Sequence, residues 1–255
     1  YVSFAHNADL SLKDNFRVVT TNIFKQRDKC NDSLDVAKIV TTMKQNLYGQ
    51  DDSLDYLSRN MYTKTFKALI FAGPTGVGKS YAVELLKNAF IWSRNVFDIY
   101  YPIDENDIKV LKLTLSSCGY NLIVLDGLEG KTPRGVYDTM RNIQQYCYEN
   151  KLKTLVVLVY NTQDLTTDLK PVYIDTKNIL LGFQNEFKNA LDVSLIQFNK
   201  LSLDNVMSCV ASEAVKLNIK ITQDEALKIA KEIPHFYGCK GARAKLMILR
   251  SDEDL

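Results

Sequence analysis

Four short runs of consecutive apolar residues, at 68–72, 96–101, 122–125 and 154–160, punctuate the middle of the chain, and stretches of helical periodicity separate them. Continuous apolar runs of that length suit strands buried on both faces, so the alternation predicts a parallel sheet covered by helices on each side. Before the first run, Leu34, Val36, Ala37, Ile39, Val40 and Met43 repeat at helical spacing from Ser33 to an exit at Gly49, and Leu54, Leu57 and Met61 line a second helix over 52–61. A third helical pattern covers 81–90. After about residue 196 the strands stop. Ser202 opens a helix with Val206, Met207, Val210 and Ala214 on its inner face, Thr222 and Glu225 form a capping box that opens another, and Pro234 ends it. A last helix begins near Gly241. The pattern therefore predicts an α/β fold with a large domain over 34–196 and a small, mainly helical domain over 197–255. Residues 1–33 are an N-terminal extension with short β-prone runs, to which the pattern assigns no element.

Composition narrows the partners. With 255 residues, 46% hydrophobic and 24% charged, the chain is long enough to bury a sizeable core. Its formal charge of +2 offers no electrostatic attraction for nucleic acid or a membrane surface. Trp92 and the 14 tyrosines do not interleave with basic clusters, so no nucleic-acid platform is expected. The longest apolar run, 155–160, is far short of the ~20 residues that span a bilayer, so no transmembrane segment is expected in this chain. His6 and His235 are isolated and read as structural. The five cysteines contain no C-x-x-C pair, and taken alone they read as thiols of a reducing compartment.

The chemistry concentrates at the ends of the strand-like runs. Gly73-Pro74-Thr75-Gly76-Val77-Gly78-Lys79-Ser80 fits G-x-x-x-x-G-K-[ST], between an apolar run and the helix that Tyr81 opens. Such a loop aims backbone N–H groups and a helix N-terminus at a polyphosphate. Lys79 then reaches the β- and γ-phosphates of ATP, and the Ser80 hydroxyl holds Mg²⁺. Asp126 follows the apolar run 122–125 and reads as a second magnesium ligand, the Walker B pattern. The next position, where a water-activating Glu is usual, is Gly127, which cannot polarise water. Glu129 lies two residues on. In a regular strand it shares a face with Gly127 at ~6.6 Å along the chain, and it substitutes only if the backbone turns back after Asp126. Asn161 ends the fourth run and reads as a polar sensor of the γ-phosphate or the attacking water. Lys240 and Arg243 begin the last helix, where the dipole disfavours cations, and are candidates for a second sensor from the small domain.

These motifs together resemble AAA+ ATPases of the Clp unfoldase and torsin group. Asn46-Leu47-Tyr48-Gly49-Gln50 resembles the Gly-Gln motif that packs beside adenine in that group, which places Tyr48 at the base. Tyr237-Gly238-Cys239-Lys240 resembles the Gly-Cys-Lys sensor of torsins, while Gly241-Ala242-Arg243 directly after it is similar to the Clp version. The resemblance to torsins implies disulfides Cys209–Cys239 and Cys30–Cys118 with Cys147 unpaired. That reverses the reading of a reducing compartment, in favour of the lumen of the endoplasmic reticulum and nuclear envelope. Asn31-Asp32-Ser33 is a glycosylation sequon consistent with it. The resemblance further implies a homo- or hetero-oligomer that remodels protein or membrane-associated assemblies. Its hydrolysis would be weak and would depend on a lumenal, membrane-anchored activator supplying an arginine finger. Two departures stand against it: Ser80, where torsins commonly have Asn, and Gly127. A nucleotide-holding pseudo-ATPase scaffold and a cytosolic Clp-like unfoldase module are the alternatives.

Overall fold

The computed structural model describes residues 16–18, 34–90, 93–99, 103–129, 134–165, 171–173, 175–186, 192–234 and 237–253. His6, Cys30, Asn31, Trp92, Tyr100, Tyr101 and His235 lie outside the described residues. In chain order the elements are β1 (Phe16–Val18), α1 (Val36–Asn46), α2 (Asp51–Asn60), β2 (Phe66–Gly73), α3 (Lys79–Ala89), β3 (Val96–Ile99), α4 (Glu105–Thr114), β4 (Tyr120–Glu129), α5 (Arg134–Asn150), β5 (Lys153–Asn161), β6 (Gln163–Leu165), β7 (Pro171–Tyr173), α6 (Thr176–Glu186), β8 (Val193–Gln197), α7 (Leu203–Lys216), α8 (Gln223–Glu232) and α9 (Lys240–Glu253). α1 begins at Val36 and not at Ser33, because the Asp35 carboxylate accepts from the Lys38 N–H and so caps the first turn. The Thr222–Glu225 capping box opens α8 as the sequence predicts.

The main sheet has the order β1-β3-β4-β5-β2-β8. β1 joins antiparallel at one edge, and the other five strands are parallel. The four apolar runs account for β2 to β5. The fifth parallel strand, β8, is absent from the sequence reading because Ser194 interrupts its apolar run. Ser194 is nonetheless buried, and its hydroxyl donates to Asn60 Oδ1 at 2.9 Å. β1 falls in the segment to which the sequence assigns no element.

Side chains alternate across the sheet, and each face has its own core. Leu69, Phe71, Val124 and Val157 pack under α1, α2 and α3. Ala68, Ile70, Leu125 and Leu158 pack against α5 and α6. Burial of a Leu, Ile or Val contributes about 1.5–3 kcal/mol, so both faces hold the strands in register. A third cluster, built on Val206, Val210, Ile229 and Leu246, is the core of the helical domain α7–α9, and Tyr48 and Leu201 pack on it. Gln50 fixes how that domain leaves the sheet. Fully buried, its amide donates to the Asn199 carbonyl at 2.9 Å and accepts from the Asn199 N–H at 2.9 Å, clamping the segment between β8 and α7.

Candidate functional site

β2 is flanked by β5 and β8, so its carboxyl end is the middle of the sheet edge where Asp126 and Asn161 also emerge. In open α/β sheets this edge is where ligands bind. The loop from Gly73 leads to Gly78, which stands at the N-cap of α3 without any side-chain cap. The first-turn N–H groups of α3 therefore have no intrahelical acceptor and suit an anion. Lys79 is buried, and its ammonium donates to the carbonyls of Gly73 at 2.8 Å and Pro74 at 2.6 Å. Burial pushes its pKa down to about 8, against the opposing pull of the Asp126 carboxylate. Ser80 is exposed on the same turn.

A cavity of about 580 Å³ opens over this loop, a size that suits a nucleotide. Tyr48, Thr75 to Tyr81, Asp126, Asn161 and Lys240 line it. It thus gathers most of the residues singled out from the sequence, across both domains. Gly73 and Pro74 form the base of the loop through their contacts with Lys79. Arg243 does not line the cavity. Its guanidinium lies 3.7 Å from Glu213 and is 65% exposed, while Lys240 has no hydrogen bond or ion pair at its ammonium among the described residues.

Asn161 is tied to the phosphate loop. Its Oδ1 accepts from the Thr75 hydroxyl at 3.2 Å and from the Gln163 N–H at 3.3 Å, and its amide donates to the Gln163 carbonyl at 2.9 Å. One amide hydrogen remains for a ligand.

β4 carries a β-bulge after its acid. Leu125 pairs with Leu158, but Leu128 pairs with Tyr160 and Glu129 with Asn161, so three residues of β4 advance against two of β5. Gly127 has φ +79°, and a Cβ built there meets nothing within 4 Å. Glycine is thus required by the backbone and not by crowding. The extra residue corrects the parity expected from the sequence. Leu128 packs in the same core layer as Leu125, and the backbone of Glu129 takes the register place that residue 128 would hold in an unbulged strand. Asp126 itself is exposed at the cavity, where its Oδ1 accepts from the Gly127 N–H at 2.7 Å.

The helical domain reaches the loop by main chain. The Cys239 N–H donates to the Gly76 carbonyl at 3.2 Å. A Cβ on Gly76 would stand 2.0 Å from the Tyr237 carbonyl, and one on Gly238 would stand 2.5 Å from the Gly76 carbonyl, so this approach requires glycine on both sides. Cys239 is bonded to Cys209 of α7, with their Cα atoms 5.4 Å apart. Cys118 is disulfide-bonded, and Cys147 is a buried free thiol whose pKa is pushed up by burial to about 11.

The sequence reading missed Ser212, Glu213 and Lys216, which line the cavity from α7. Their only signal is helical spacing from Cys209 on the flank of the inner face, which resembles an ordinary solvated surface. No helix among the described residues is long and apolar enough to cross a membrane, and none of these residues forms a cluster of three or more His, Cys, Asp or Glu able to hold a metal ion.

No family model matches the chain. Solved structures do. Hsp104 in a closed state with ATPγS and FITC-casein is similar with a TM-score of 0.54 at 16% identity, covering 85% of this chain and 44% of that one. The S. cerevisiae Hsp104–ADP complex gives 0.56 at 14% identity, covering 85% and 46%. A Thermotoga maritima RuvB variant gives 0.52 at 13% identity, covering 81% and 66%. The chain has the fold of the AAA+ ATPases, with a parallel five-stranded sheet between helices. It spans less than half of each Hsp104 chain, and identity this low carries the fold alone.

Proposed function

We propose that this chain binds ATP with Mg²⁺ and uses binding, together with weak activator-dependent hydrolysis, to remodel protein or membrane-associated assemblies. The observation that carries this reading is the cavity itself, where the phosphate loop, Asp126 and Asn161 of the large domain meet Lys240 of the small one. The uncapped start of α3 and the crowding around Gly76 leave a main-chain cradle that fits a triphosphate. Mg²⁺ is commonly held by one or two protein oxygens plus phosphates and water, and the Ser80 hydroxyl and Asp126 carboxylate meet that need. Bound magnesium supplies charge neutralisation across the β- and γ-phosphates.

The residues divide the work. Lys79 gives up the Gly73 and Pro74 carbonyls for the phosphates. Tyr81 and the α3 N–H groups follow the loop onto the α-phosphate side, and Tyr48 packs at the base. Asn161 keeps its hold on Thr75 and offers its remaining amide hydrogen to the γ-phosphate or the attacking water. Lys240 approaches from the other side, and the Cys239–Gly76 bond carries the loop's state to the helical domain. Glu129 takes the part of the water-activating carboxylate.

Lys79 also sets a pH dependence. Its free-state pKa near 8 lies below the unfolded value of 10.5, so the folded chain binds fewer protons between those limits and its stability rises with pH across that window. A bound triphosphate favours the charged ammonium. ATP affinity is therefore expected to hold up to about pH 8 and then fall, approaching tenfold per unit, with proton uptake on binding. Calorimetry in two buffers of different ionisation enthalpy checks it, and an affinity flat from pH 7 to 9.5 contradicts it.

The finer reading is a torsin-type protein of the endoplasmic reticulum and nuclear envelope lumen, acting in an oligomer with a membrane-anchored activator that supplies an arginine. It is supported by the Cys209–Cys239 disulfide, by the lone Cys147 and by the bonded state of Cys118. The expected partner of Cys118, Cys30, lies outside the described residues. Thiol counting on denatured, unreduced protein tests this reading. One free thiol of the five cysteines is expected, whereas five would favour a cytosolic Clp-like unfoldase. A pseudo-ATPase scaffold is the second reading, favoured by Gly127 in the place of a carboxylate.

A further inference from the structure

α7 presents Cys209, Ser212, Glu213 and Lys216 to the cavity, spaced i, i+3, i+4 and i+7 along one line. The two ends of that line are anchored differently. Cys209 is bonded to Cys239, whose N–H reaches the phosphate loop at Gly76. Lys216 is seven residues on, about 10 Å along the helix axis, and its ammonium lies 5.8 Å from the centre of the Tyr81 ring. The line thus runs from the phosphate end toward the place left for the nucleoside, with Tyr48 on the cavity wall as well.

Glu213 is an odd occupant of such a line. It is an acceptor-only group in a cavity built for an anion, and it stands in the last turn of α7, where the helix dipole disfavours an acid by about 0.3–1 kcal/mol. Two cations offset that cost. Lys216 donates to Oε1 at 2.6 Å, and the Arg243 guanidinium lies 3.7 Å from Oε2. The second distance is beyond hydrogen-bond range, so Oε2 keeps acceptor capacity while only 18% of the side chain is exposed. A nucleoside triphosphate offers few donors to such an oxygen. The triphosphate has none, which leaves the ribose hydroxyls and the exocyclic amine of the base.

We propose that Glu213 reads the nucleoside, its Oε2 accepting a hydrogen bond from a ribose hydroxyl or from the exocyclic amine, with Lys216 and Arg243 holding the carboxylate in place. This assignment rests on the nucleotide-binding reading and names the residue that makes the site selective. Arg243, which the sequence offered as a phosphate sensor, becomes a positioning residue.

The test is calorimetry of the full chain with magnesium-loaded ATP, 2′-deoxy-ATP, 3′-deoxy-ATP and inosine triphosphate, which lacks the amine. The wild-type chain is expected to bind at least one analogue about tenfold or more weakly than ATP, as loss of a hydrogen bond to a charged acceptor predicts. Which analogue is weak identifies the donor. Glu213→Ala is expected to bring that analogue and ATP within twofold of each other, and Glu213→Gln to retain part of the difference. Using a ratio within each variant removes any common effect on folding. Wild type binding all four ligands within twofold, or either variant folded with the full wild-type ratio in Glu213→Ala, overturns the assignment while leaving the nucleotide site intact. Failure of wild type to bind ATP at all removes the underlying reading too.

Discussion

Lys79→Ala is expected to abolish measurable binding of magnesium-ATP, with an affinity at least ~100-fold below wild type by calorimetry. Truncating one partner of a desolvated charge pair costs about 2–5 kcal/mol, and Lys79 is the buried cation of the cavity wall. The fold is expected to survive. The Gly73 carbonyl keeps the Thr162 N–H as donor at 3.0 Å, and an ammonium whose pKa is depressed by burial contributes little to stability at neutral pH. The thermal midpoint should therefore stay within a few degrees of wild type. A dissociation constant within threefold of wild type would show that Lys79 does not anchor the phosphates, and the proposed function would fall with it.

The second large effect concerns turnover and not binding. Glu129→Gln is expected to lower activator-stimulated phosphate release by about 10²–10³, the range of a general base, while ATP affinity changes less than threefold. The basis is the bulge. A regular strand would give residue 129 the parity of Gly127, whereas the observed register sets its backbone opposite Asn161, with the parity of Asp126. Gly127→Ala serves as the companion variant. Since a Cβ there has no neighbour within 4 Å, its only penalty is a left-handed backbone, about 1–2 kcal/mol, which favours straightening of the bulge and loss of turnover. If Glu129→Gln and wild type release phosphate at the same rate with activator present, Glu129 leaves the mechanism and the scaffold reading gains.

The phosphate loop was legible because its chemistry is local. Loop, cap and first helical turn are contiguous, so spacing alone identifies Gly73 to Ser80. The two capped helices of the small domain were legible for the same reason, since Ser202 and Thr222 act on N–H groups three residues away. β8 was not, because a buried serine satisfied by Asn60 looks polar in sequence and its partner lies far along the chain. Gly127 was visible as a missing carboxylate, but the bulge it permits depends on the register against β5.

By itself the sequence determined an alternating α/β core, a phosphate-binding loop, an acid and an amide at strand ends, and a helical domain after residue 196, because each follows from contacts within a few residues. The tertiary structure alone decided the strand order, the one-residue advance that moves Glu129 and the face of α7 that meets the cavity. It also decided the seating of Cys239 on Gly76. These depend on the packing of segments tens of residues apart, where the energy lies in burial and close approach that no local spacing encodes.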